Sequence, residues 1–407
     1  MKVLHLSSSV NKSSAAYRLH KGLRNNGVES FVGVAFNSIK DELVIQNKNE
    51  TLSKIFARID RLPLSFYKKD LTTPFNTGFK NNFNFSLLHQ LDPDIIHLHW
   101  INQFVSIEEI AKLKKPIVWT LHDSWAFTGG CHIPYPCDKW KTQCGNCPQL
   151  KSSKQHDLSN IIFKSKLKQW SKLKNLEIIG PSKWMTDCAT NSAILGKFKS
   201  SNVPNLIDTD FWNPADKRLA RTRLGIDVSS KVILYGANNS KRDLNKGFQF
   251  LEQAYSLVKE TEAKVQLIVF GSGAKHFDEM NNILYWGNIT DPEDLVLLYS
   301  SADLLVSPSI SENFSNVILE SLSCNTAVVA FDIGGNSDLI DHQKNGYLAE
   351  PFSVKALAGG IIYVLQNPHT VIAMRDKVLN HFSESTIVNK HIEVYNRVLN
   401  KTKPGNF

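Results

Sequence analysis

The sequence has no apolar run near the ~20 residues that a membrane-spanning helix requires, so no such helix is expected. It has no low-complexity tract and no internal repeat, which argues against a disordered linker, a solenoid or a propeller. The opening MKVLHLSSSV turns polar too soon for a signal peptide and reads as a first strand. With neither signal, the expected compartment is the cytoplasm, where thiols stay reduced. Cysteine is sparse, 6 in 407 residues, and under reducing conditions a disulfide framework is not expected. Acidic residues are scarce in one half only. Residues 1–200 hold 28 Lys+Arg against 15 Asp+Glu, and the remainder 19 against 23. A basic first half fits an anion-seeking face, whether toward nucleic acid, anionic lipid or an acidic acceptor; it equally fits a solvated lysine surface.

What the chain does have is a repeated alternation of apolar β-rich runs with helical patterns. KVLHL, SFVGVAF, DIIHLHW, PIVWTLHD and LEIIGPS read as strands apolar on both faces, the pattern of parallel strands covered by helices. Ser13 or Ser14 can cap a helix through Leu19 and Leu23 that Gly27 stops. Around 201–216, SNVPNLIDTDFWNPAD has two prolines and no helical period, and reads as a hinge. A second series follows: KVILYGA, VQLIVFG, ILYWGNI, DLLVSPS and TAVVAF, with helices between. The expected fold class is α/β, two doubly wound Rossmann-like domains. The expected divisions are an N-terminal domain 1–203 with a cysteine-rich loop 129–150, a C-terminal domain 204–380, and a terminal helix 381–407 able to pack back on the first domain. Ligands of such sheets bind beyond the strands' carboxyl ends, which points to a cleft between the two domains.

The most informative stretch is SENFSNVILES, 311–321. It sets Glu312 and Glu320 eight positions apart around a short helix entered through Ser315 and Asn316. Eight helical residues rise about 12 Å, too far for one acid/base pair and suited to gripping two ends of a long polar ligand. The helix N-terminus between them, with Asn313, Phe314, Ser315 and Asn316 at its entry, offers free N–H groups to a diphosphate. Sugar, diphosphate and ribose in line make a nucleotide sugar. Lys246 starts a helix after a strand, a place for phosphate contact as well as for a solvated lysine. Gly271 and Gly273 form either a backbone approach to a ligand or a plain tight turn.

With TLHDSWAFTGGC at 120–131, GPSKW at 180–184 and TAVVAFDIGGNSDLI at 326–340, the chain resembles the retaining glycosyltransferases of family four, of GT-B fold. Within them it is similar to bacterial enzymes that build colanic-acid-type and other surface polysaccharides. The resemblance covers residues 1–370. It implies that Glu312 contacts the donor sugar and faces the reacting carbon, that Glu320 holds the ribose, and that Lys246 neutralises the diphosphate with Arg242 or Lys241 as companion. It places Gly271 and Gly273 at the nucleotide and His122 between donor and acceptor. Many family members have a glycine-rich loop after the first strand; here it is Ser7-Ser8-Ser9, which makes Ser9 an acceptor-side candidate. The implied donor is a UDP- or GDP-sugar and no catalytic metal is required. The implied acceptor is a glycan, lipid-linked, at the inner face of the plasma membrane, for a surface polysaccharide, lipopolysaccharide or capsule; nucleic acid is not implied.

His97 and His99 share one side of their strand, open either to the ligand or to the core, and Asp123 either orients His122 or caps a turn. Cys131, Cys137, Cys144 and Cys147 crowd into one loop; they read as a structural zinc site or as free thiols. Aromatics and cations mingle over 51–90, and the helix 161–174 sets Phe163, Leu167 and Trp170 among lysines; both suit either a membrane surface or a core. Together these features point to a retaining, hexose-transferring, peripherally membrane-associated glycosyltransferase. The rivals are a GT-B nucleotide-sugar epimerase and an inactive transferase-like scaffold subunit.

Overall fold

A computed structural model describes residues 1–401 except 48, 69–72, 82, 237–242, 290 and 370–371. The chain divides into two compact units, Met1–Leu206 with Glu384–Phe407, and Ile207–Ser383.

The first unit is built on seven parallel strands: β1 (Lys2–Val10), β2 (Glu29–Asn37), β3 (Val44–Gln46), β4 (Ile95–Leu98), β5 (Ile117–Thr120), β6 (Leu176–Gly180) and β7 (Lys199–Asn202), in the order β3-β2-β1-β4-β5-β6-β7. Strands β4, β5 and β6 are buried along their whole length, which is why their sequences are continuous apolar runs. The helix Glu384–Asn400 belongs to this unit. Its Val388, Val394, Tyr395 and Val398 join Val3, Ile95, Val118 and Ile179 in one apolar cluster. The buried carboxylate of Glu177 on β6 accepts from Arg397 of that helix at 2.5 Å.

The second unit has seven more strands: β8 (Lys231–Gly236), β9 (Val265–Phe270), β10 (His276–Asp278), β11 (Ile283–Gly287), β12 (Leu304–Ser307), β13 (Ala327–Phe331) and β14 (Gly346–Ala349). Their order is β10-β11-β9-β8-β12-β13-β14, all parallel but for the short antiparallel edge strand β10. Both sheets reverse their winding beside their first strand, at β1/β4 and at β8/β12. In open α/β sheets such a switch point opens a crevice at the strands' carboxyl ends, where ligands collect.

Candidate active site

In the second unit the two strands flanking the switch point, β8 and β12, each lead into a loop bearing a charge. Beyond β8 comes Lys246; beyond β12 comes Glu312. Lys246 Nζ lies 3.2 Å from Glu312 Oε2. The carboxylate pushes the Lys246 ammonium up, overcoming the opposite effect of burial. Glu312 stands in the loop ahead of the helix Asn316–Ser323 rather than on it, so the axial rise of a helix does not set its spacing from Glu320.

Backbone contacts too close for any side chain bring these residues together. Gly247, at φ +69°, would place a Cβ 1.8 Å from the Pro308 carbonyl oxygen, and Gly334, at φ +52°, would place one 1.8 Å from that of Glu312. Only glycine fits both the conformation and the gap. Around them the Ile310 N–H donates to Asn245 O at 2.8 Å, Asn245 Nδ2 donates to Ser311 O at 3.0 Å, and the Gly335 N–H donates to Glu312 O at 3.2 Å. Three loops that are remote in sequence are thereby locked around Lys246 and Glu312. The roles of Asn245 and Gly247 escaped sequence reading; the NKG triplet after a strand was their only signal.

At the helix entry, Ser315 is the N-cap, its hydroxyl accepting from the Ile318 N–H at 3.4 Å. The buried Oδ1 of Asn316 has no hydrogen-bond partner, a polar atom suited to a ligand donor. Phe314 is instead turned into the core, edge-on to Phe382. Asn313 lies in the same loop. Glu320, midway along the helix, is buried and accepts from the Tyr299 hydroxyl at 3.1 Å. Gly271 and Gly273 follow β9 at φ +102° and +78°, and nothing lies within 4 Å of where a Gly273 Cβ would point. Arg242 and Lys241 lie outside the described residues.

In the first unit the carboxyl ends of β1, β4 and β5 carry Ser9, His99 and His122. His122 Nε2 is 3.0 Å from His99 Nδ1, and His99 Nε2 is 2.9 Å from His5 Nδ1. Neutral imidazoles in such a chain must share one polarity, since each contact needs one donor and one acceptor nitrogen. Burial drives the His122 imidazole down to about 4 and His99 and His5 well below their usual range, so all three are uncharged near neutrality. His97 is closed to ligands: Nδ1 meets the Tyr395 hydroxyl at 2.7 Å and Nε2 meets Thr120 Oγ1 at 2.8 Å. Asp123 does not hold His122. Its Oδ1 caps the turn through the Trp125 N–H at 2.8 Å, and its Oδ2 meets His132 Nδ1 at 2.7 Å. Burial pushes this carboxyl up, but His132 and the Trp125 amide outweigh it and keep it below the usual range. A small cavity lies against His99, His122, Asp123 and Trp100. His5 and His132 were not singled out from sequence; a histidine inside the apolar strand β1 is the faint signal for His5, and His132, in the loop after β5, has none.

The aromatic and basic segments divide between core and surface. Phe75 and Phe83 are buried, as are Phe163 and Trp170. Leu167 is exposed, and its expected place in the buried stripe is taken by Lys166. Among the described residues no helix is long and apolar enough to cross a membrane.

Residues 230–367 match the family model described as "Glycosyl transferases group 1". The chain is similar to the D-inositol 3-phosphate glycosyltransferase of Segniliparus rotundus, 29% identical over 42% of this chain and 40% of that one. It is also similar to the putative colanic acid biosynthesis glycosyl transferase WcaC of Escherichia coli, 28% identical over 67% of this chain and 68% of that one. Alignment thus spans well under half of the first relative's length and about two thirds of the second's. In three dimensions it is similar to Anabaena HepE in complex with UDP-glucose, with a TM-score of 0.65, 17% identity, and 98% of this chain and 100% of that one covered.

Proposed function

The chain carries a group 1 glycosyltransferase domain on a GT-B fold of two Rossmann-like units, and from that premise we propose that it is a retaining transferase using a nucleotide diphosphate sugar. The observation that carries this reading is the Lys246–Glu312 pair, held by two glycine contacts at the switch point of the second sheet. An incoming diphosphate takes Lys246, and the sugar hydroxyls take Glu312. Asn316 and the N–H groups of the helix entry add donors where negative charge develops. The sugar–phosphate bond breaks as the acceptor oxygen bonds the same carbon on the same face. The acceptor proton passes to the departing phosphate, and Glu312 stabilises the positive carbon between them. Lys246 and helix amides meet the leaving charge without calling for a metal. Glu320 receives the ribose. Acceptor handling falls to the first unit, at Ser9, His99 and His122.

UDP- or GDP-hexose as donor is supported by the UDP-glucose complex of HepE, and a surface glycan as acceptor by the likeness to WcaC. A lipid-linked acceptor at the inner membrane face is supported by the helix Glu50–Arg61. Its Leu52, Ile55 and Ile59, with Leu62 and Phe66 beyond it, are exposed beside Lys54, Arg58 and Arg61.

Thermal shift with UDP-, GDP- and dTDP-sugars tests the donor assignment: one class should raise the melting point, and none doing so would overturn it. Lys246→Ala should weaken that binding by about 1.5–3 kcal/mol, the loss of one charge-assisted contact. NMR of the donor incubated alone separates the epimerase, which would yield a new sugar isomer. The scaffold reading gains if Glu320→Ala leaves cell-surface glycan unchanged while deletion of the protein abolishes it.

A further inference from the structure

Beyond β5 the chain makes a long loop whose four cysteines, Cys131, Cys137, Cys144 and Cys147, line one cavity floored by Gly129 and Trp140. All four are free thiols. The loop is closely tied. Gly145, at φ +153°, would place a Cβ 2.4 Å from Gln155 O, so the Cys144–Cys147 turn needs glycine there. Asn146 is also at positive φ, +45°. The Cys147 N–H donates to Asp157 Oδ2 at 2.8 Å, Asn160 Nδ2 donates to Cys144 O at 2.7 Å, and Lys139 Nζ donates to the Gly145 and Asn146 carbonyls at 3.0 and 2.9 Å.

Burial pushes the Cys144 thiol up to about 12 and raises Cys131 and Cys147, while backbone N–H groups of Gly129 at Cys144, and of Gln149 and Leu150 at Cys147, act the other way. A bound cation would supply the charge that turns buried thiols into thiolates, the form that binds metal. The neighbouring cations are already committed: the buried Lys166 donates to the carbonyls of Trp125 and Thr128, and Lys139 of the cavity lining to those of Gly145 and Asn146. Among the described residues the three ligand atoms within 4.8 Å of one another belong to His5, His97 and His99; both nitrogens of His97 and of His99 are engaged, with Tyr395, Thr120, His5 and His122, and only the buried Nε2 of His5 has no partner. The cysteine sulfurs are spaced more widely and would have to draw inward onto an ion.

We propose that this cavity is a structural zinc site, with Cys131, Cys137, Cys144 and Cys147 as its ligands. Four thiolates, one pair of them with two residues between, suit tetrahedral zinc and leave no position open for catalysis. The inference is independent of the donor reading, since none of these residues belongs to the second unit.

The full chain, purified under reducing conditions without added metal, should contain about one zinc per chain by elemental analysis. An organomercurial that titrates thiols should release it. Refilling with Co²⁺ should give a thiolate-to-metal charge-transfer band and the intense visible bands of a tetrahedral site. Cys144→Ser and Cys147→Ser should lose the metal, while Cys188→Ser, elsewhere in the unit, should keep it. If the cluster variants fail to fold, the wild-type stoichiometry and the cobalt spectrum decide. Wild-type protein free of metal with four reactive thiols, or with disulfides among these cysteines, overturns the proposal.

Discussion

Gly247 and Gly334 carry no chemistry, yet the positions of Lys246 and Glu312 depend on them. Alanine at either forces apart a backbone contact of 1.8 Å. We expect Gly247→Ala or Gly334→Ala to weaken donor binding at least tenfold by calorimetry, with the melting point lowered by only a few degrees; unchanged affinity would count against the interlock. At this scale the sequence was informative about identities and poor about relations. A helix entered through Ser315 and Asn316 was readable from SENFSNVILES, whereas the place of Glu312 in the loop ahead of that helix was not. The ion pair with Lys246 was not, because it spans 66 positions and is set by left-handed glycines rather than by any local pattern. Similarly, the His122–His99–His5 chain joins three strands, and nothing local to one strand announces the other two.

Among elements, the strands were the most legible: the ten runs read as strands all lie in the two sheets, because burial on both faces demands continuous apolar sequence. The short edge strands β3, β7, β10 and β14 escaped, since β7 (KSSN) and β10 (HFD) have no apolar run to show. The helix Glu50–Arg61 escaped too, because its stripe was read as part of an aromatic segment. Its exposed face yields a prediction: Leu52→Ser with Ile55→Ser should reduce cosedimentation with anionic vesicles severalfold and leave neutral-vesicle binding and melting point little changed. The helix Glu384–Asn400 yields another. Arg397→Ala leaves the buried Glu177 carboxylate with the Ser201 hydroxyl at 3.1 Å and, as its charged partner, only the more distant Lys401 at 3.8 Å, and should cost about 3–5 kcal/mol in urea unfolding. Adding Glu177→Gln should restore much of that loss.

Across the whole molecule, buried uncharged imidazoles make stability depend on pH. Burial takes His20, His122 and His391 down to about 4. Their folded values lie below the ordinary ~6.5, so the unfolded chain binds more protons between pH 6.5 and 4, and stability falls as pH drops through that window. Each should contribute on the order of 2 kcal/mol of loss between pH 7 and pH 5. Urea midpoints at the two pH values should show it, and His391→Gln should flatten the slope; an identical slope would exclude a contribution from that histidine.

The first unit is made of two stretches separated by the entire second unit. A ribosome therefore delivers the sheet β1–β7 long before Tyr395 and Arg397 emerge to cover it. Until then His97 lacks its phenol partner and Glu177 its guanidinium, and the apolar patch of Val3, Ile95 and Val118 stays open to water. The nascent half-molecule should thus be a chaperone client until the helix Glu384–Asn400 reaches it.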